Sequence, residues 1–145
     1  MNNINEQITS IRSAVGASYS KPSPKTVEEQ VIQLNNSPNA LDYLRNTRGF
    51  SDETIKSFNL GYDTKRNAIS IPIYKNGELV NIKYRNLNPE EHGGAKYKST
   101  YGAENWVFND SGLSVGKEKG RVLIVEGEFD CISAVQRGLK NVISP

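Results

Sequence analysis

Cysteine and histidine are almost missing from this sequence: Cys131 and His92 stand alone among 145 residues. One cysteine forbids an internal disulfide, and one of each forbids the Cys/His sets that hold structural zinc. A reducing compartment is expected, and we read it as the cytoplasm. Long apolar runs are missing too. No stretch approaches the roughly 20 residues that cross a bilayer, and the start, MNNINEQITS, lacks the basic-then-apolar plan of a secretion signal, so no membrane role is expected. Excess charge of either sign is also absent. With 18 basic and 16 acidic residues the formal charge is +2, so a polyanionic partner must be met by a local basic surface. The length suffices for one domain with a real core or for two small lobes.

What is present divides the chain. Residues 1–25 are Asn/Ser-rich, close on SKPSPK and read as a leader or linker in which helix is only weakly marked. Thr26 and Glu29 form a T-x-x-E capping box, Ser37-Pro38 opens a second helix, and Ser51 caps a third, SDETIKSF. Helices this short are marginal alone, so packing into a small subdomain is expected. Next, AISIPIYKNGELVNIKYR is two alternating runs around Asn76-Gly77, a strong hairpin signal. Pairing Lys75 with Glu78 sets Ile73 opposite Val80, Ile71 opposite Ile82 and Ile69 opposite Tyr84, which predicts one shared apolar face. Lys83 and Arg85 fall on the other face, with Ala68 and Ser70, and Pro72 points to an edge or a bulge. NPEEHGG reads as a loop, KYKST at 96–100 as a short strand, and NWVF at 105–108 as a segment used for packing. After a Gly/Lys-rich connection, RVLIV predicts a buried strand. EFDCISAVQR predicts a helix with Phe129, Ile132, Val135 and Leu139 on one stripe and Gly138 as its stop, and NVIS predicts a further strand. Within one sheet this is a parallel β-α-β unit with a right-handed crossover. The fold class is therefore α+β: short N-terminal helices, an antiparallel hairpin in a mixed sheet, then a β-α-β unit.

Three acids cluster where that unit turns. In open parallel sheets ligands collect beyond the carboxyl ends of the strands, where Glu126 sits, and Gly127 leaves room for a sharp turn. A charge at the end of a buried strand needs a partner, and a divalent cation is a natural one. Glu128 and Asp130 lie in the helix's first turn, where acids also serve simply by opposing the helix dipole. That plain role suits Glu128 best, and for Asp130 both roles stay open.

VLIVEGEFDCISAVQRGLKNVIS resembles the first half of a TOPRIM domain, an apolar strand ending in Glu-Gly with an acid shortly after, then a helix and a second strand. Upstream, RGFSDETIKSFNLGYD, RNAISIPIYKNGELVNIKYRNL and AKYKSTYGAENWVFN follow in the order of the RNA-polymerase domain of DnaG-type primases. The form VEGEFD resembles most closely the phage primase-helicases and the related mitochondrial helicase Twinkle. The resemblance covers about Arg48 to Ser144. It implies residues 26–118 as the N-terminal lobe of a primase RNA-polymerase domain and residues 119–145 as a partial TOPRIM domain. It also implies synthesis of short RNA primers from nucleoside triphosphates on a single-stranded DNA template, with a replicative helicase in cis or in trans, in a phage or prophage replication protein. Glu126 and Asp130 become the catalytic acids, with Glu126 a ligand of Mg²⁺ or Mn²⁺. Two features depart from the family. No zinc module can be built, and the Asp-x-Asp strand that completes a TOPRIM metal site does not appear, so a fragment of a longer protein is expected.

Lys83 and Arg85 alternate along one strand, and Lys96 and Lys98 repeat the spacing. Such a face is ordinarily solvated and nothing more. The resemblance implies a binding role for Lys83, Arg85, Lys96, Tyr97 and Lys98, because they match the family's basic region; Tyr97 and Tyr101 are also able to stack on bases. Two rivals remain: a TOPRIM nuclease or topoisomerase-like enzyme, which has no reason to carry both the hairpin and KYKST, and a nucleic-acid-binding module without catalysis.

Overall fold

The computed structural model describes residues 19–145. The weakly marked helix of the leader lies outside them. Helix α1 (Pro24–Asn35) starts two residues before the expected capping box, because the Ser23 hydroxyl accepts from the Lys25 amide at 3.2 Å and Pro24 brings its fixed φ to the first turn. Thr26 is thus already helical. Helix α2 (Pro38–Asp42) is capped by Ser37 as expected and runs into a π-helical turn, Tyr43–Thr47. Helix α3 (Asp52–Ser57) is capped by Ser51, whose hydroxyl accepts from the Thr54 amide at 3.1 Å.

Strands β1 (Gly61–Asp63), β2 (Ala68–Lys75), β3 (Glu78–Asn86) and β4 (Tyr97–Ser99) form an antiparallel sheet in that order. Strands β5 (Leu123–Ile124) and β6 (Val142–Ile143) form a separate parallel pair joined through helix α5 (Glu128–Gln136). Antiparallel and parallel pairing are thus segregated within an α+β fold. The turn between β2 and β3 is the expected one, with Asn76 and Gly77 both at positive φ.

The register beyond that turn differs from the sequence expectation. Lys75 does face Glu78 and Tyr74 faces Leu79, but Ile73 then faces Asn81, and Val80 is an extra residue in a β-bulge. Every later pair is shifted by one, so Ile71 faces Lys83 and Ile69 faces Arg85. The cause is burial on both sides of the sheet. One face packs Ala68, Leu79, Ile82 and Tyr84 against Val27 of α1. The other packs Ile69, Ile71, Ile73 and Val80 toward Leu44, Phe50, Phe129 and Ile132. A single apolar face would leave one of these layers without a surface to bury, and the bulge distributes apolar residues to both.

Three further expectations are corrected. The connection before β5 contains helix α4 (Ser111–Lys119), because Gly112 and Gly116 let it lie against β6 and the β5 approach. Strand β5 is exposed: among the described residues only β6 pairs with it, leaving Ile124 63% accessible. In α5, Phe129 and Ile132 are buried and Val135 is half-buried, but Leu139 lies beyond the helix and is exposed; Gly138, at φ 98°, does follow its end. NWVF packs as expected, with Phe108 buried and bridged to Ser144. The loop NPEEHGG contains a 3-10 turn, Pro89–His92. No helix among the described residues is long and apolar enough to cross a membrane.

A candidate nucleic-acid and nucleotide interface

Beyond Ile124 the chain leaves β5 and bends at Glu126 and Gly127 into the helix. The Val125 amide donates to the Ile143 carbonyl at 3.0 Å, and Glu126 follows, exposed and without a hydrogen bond among the described residues. Gly127 is not required here for its conformational freedom, since its φ of −126° suits any residue. It admits Asp130 instead, whose carboxylate lies 3.2 Å from where a Cβ would stand. Asp130 is exposed and Glu128 is buried.

Glu128 therefore does more than oppose the helix dipole. Its carboxylate accepts from the Lys83 ammonium in an ion pair that joins hairpin to helix across 45 positions; the two side chains are 5% and 26% accessible. The shifted register explains the meeting. By facing Ile71 and Ile69, Lys83 and Arg85 point toward α5, and the expected placement on the face opposite those isoleucines is corrected.

Strand β4 adds to this side. Tyr97 faces Arg85 and Ser99 faces Lys83, and the Arg85 guanidinium lies 5.1 Å from the centre of the Tyr97 ring. Arg85 Nε is buried without a hydrogen-bond partner. Burial pushes the Tyr97 phenol above its ordinary range, while Arg85 and then Arg48 pull the other way. Arg48 is the residue that sequence reasoning missed. It donates from Nε to the Tyr43 hydroxyl at 2.9 Å and stacks over Phe129 at 4.7 Å, which places it beside the acidic turn. Its signal was the Arg48-Gly49 pair just after a helix, with Gly49 at φ 75°. Neither Arg48 nor Arg85 forms an ion pair with a described carboxylate. Lys98 faces Tyr84 instead, so Lys96 and Lys98 occupy the other side of β4, both exposed. The five basic-region candidates thus divide into Lys83, Arg85 and Tyr97 on one face and Lys96 and Lys98 on the other.

No group of three metal-binding side chains occurs among the described residues. The available donors are the carboxylates of Glu126 and Asp130, a hard-oxygen set suited to an ion that keeps water or phosphate oxygens as further ligands. The thiol offers no alternative, because burial and then Glu128 push Cys131 up to about 12. Cys131 should accordingly react with iodoacetamide at pH 8 at least ~100-fold more slowly in the native chain than in urea, by mass spectrometry. Equal rates would contradict its placement in the core.

No protein-family model matches the chain, and no curated protein matches it in sequence. Solved structures do match in fold. The zinc-binding and RNA-polymerase domains of the Aquifex aeolicus primase superpose with a TM-score of 0.72 at 19% identity, over 83% of this chain and 40% of that one. The RNA-polymerase domain of Mycobacterium tuberculosis primase DnaG gives 0.71 at 18% identity, over 92% of this chain and 56% of that one. A DnaG primase catalytic domain bound to single-stranded DNA gives 0.61 at 18% identity, over 83% and 52%. This chain thus has the fold of part of a DnaG-type primase catalytic core, and it spans between 40% and 56% of the length of these three structures.

Proposed function

We propose that this chain belongs to the catalytic domain of a DNA primase, within a longer replication protein. That protein would synthesise short RNA primers from nucleoside triphosphates on single-stranded DNA. Its setting would be the cytoplasm of an infected or lysogenic cell, alongside a replicative helicase in cis or in trans. The carrying observation is the gathering of Arg48, Arg85 and Tyr97 beside the Glu126–Glu128 turn, on a fold shared with primase cores. The two arginines would hold phosphates, since each lacks a described carboxylate partner and a guanidinium offers a fork of donors matched to phosphate oxygens. Tyr97, held beside Arg85 and 37% accessible, would stack on a base. Glu126 with Asp130 would hold Mg²⁺ or Mn²⁺ together with substrate phosphate, and the ion would stabilise charge on the phosphoryl group being transferred. Lys96 and Lys98 would guide the strand along the outer side of β4.

The test is binding of a fluorescent single-stranded oligonucleotide across a salt series. Replacing Arg48 and Arg85 together with Ala should reduce the slope of log K against log salt by roughly 1.4, at about 0.7 per phosphate contact. Lys65→Ala with Lys117→Ala, both exposed and away from β4, serves as the control. An unchanged slope in the arginine variant, with melting temperature within a few degrees of wild type, would remove the arginines from the interface.

A further inference from the structure

Lys83 differs from its two cationic neighbours in one respect. Arg48 and Arg85 keep their charge free of described carboxylates, whereas the Lys83 ammonium is already neutralised by Glu128. It nonetheless lies on the side proposed above to meet phosphates: it faces Ser99 across the β3–β4 ladder, two residues from Arg85 and on the same side of the strand. Lys83 keeps 26% of its side chain accessible while Glu128 keeps 5%, so the cation is the partner that a solvent-borne anion can reach. A buried carboxylate cannot readily release its counter-ion, because leaving it alone in the interior is costly.

We propose that Lys83 is a latent phosphate-binding residue, silent toward a polynucleotide while Glu128 holds its ammonium, and that Glu128 thereby sets how many cations the interface presents. Glu128 is in this sense a positioning residue, acting on the bound strand through Lys83. The inference rests on the polynucleotide reading above, and its test separates the two.

The measurement is the salt slope for the same labelled oligonucleotide, on the full chain. Glu128→Gln keeps the shape and removes the charge. It should raise the slope's magnitude by about 0.7, one added contact on a single strand, and tighten binding severalfold at low salt. Adding Lys83→Met to that variant should abolish the gain. Loss of stability alone does not produce a gain in affinity or slope. Should Glu128→Gln fail to fold, Glu128→Asp, which retreats from the ammonium by one methylene, should move the slope in the same direction. An unchanged or lower slope in the charge-removed variant, while Arg48→Ala and Arg85→Ala still lower it, overturns the masking of Lys83 and leaves the polynucleotide reading standing. An arginine variant that binds like wild type overturns that reading, and the inference with it.

Discussion

Gly112→Val should cost the chain about 3 kcal/mol and lower its melting temperature by roughly 10 °C. A Cβ at position 112 would stand 2.4 Å from the Val142 carbonyl oxygen and 3.1 Å from that of Lys140, and both are backbone atoms that cannot rotate away. Valine has a slightly better helix propensity than glycine, but only by a few tenths of a kcal/mol, so overlap decides the sign. Relief requires α4 to move off β6. The Val142 carbonyl also accepts from Asn109 Nδ2 at 2.8 Å and lies 3.6 Å from the Cys131 sulfur, so that movement would disturb the join between α4, β6 and α5. Ser114→Ala, exposed on the same helix, should stay within ~0.5 kcal/mol. Circular-dichroism melts of the two variants check this, and equal melting temperatures would mean that α4 does not depend on glycine for its approach.

The same glycine shows why α4 was illegible in the sequence. Residues 111–119 are poor in strong apolar signals, and two glycines ordinarily lower any helix expectation. They are there because of a strand elsewhere in the chain, which no local pattern reveals. Signals that act within a few residues were legible: Asn76-Gly77 made its turn, Ser37-Pro38 and Ser51 began their helices, and the apolar run with Gly138 marked the β-α-β unit. The hairpin register failed beyond Tyr74 because a regular ladder was fitted to one buried face, whereas α1 and α5 require two. At the site, the strand-end position of Glu126 was visible, but the meaning of Glu128 was not. An acid in a first turn looks complete with the helix dipole as its partner, and only folding brings Lys83 to it. Arg48 was overlooked for a similar reason, since its aromatic platform is Phe129, far from it along the chain.

On the proposed primase reading, Glu126→Gln in the longer protein should reduce primer synthesis by at least about 100-fold while leaving stability within ~0.5 kcal/mol of wild type. The separation of the two effects follows from geometry. Glu126 is exposed and takes no hydrogen bond among the described residues, so an amide in its place disturbs no packing or pairing there. On the proposed function, what the amide lacks is the charge that would hold a divalent cation beyond the end of β5, where Glu126 and Asp130 are the proposed oxygen donors. Glu128→Gln should behave in the opposite way, losing stability through Lys83 while keeping far more activity, because its carboxylate is turned into the interior. Ribonucleotide incorporation on single-stranded DNA, followed across a Mg²⁺ titration, gives the rates, and thermal melts give the stabilities. Near-wild-type synthesis by Glu126→Gln at limiting Mg²⁺ would remove this carboxylate from the chemistry. A large loss accompanied by an equally large fall in melting temperature would mean that Glu126 supports the fold rather than the reaction.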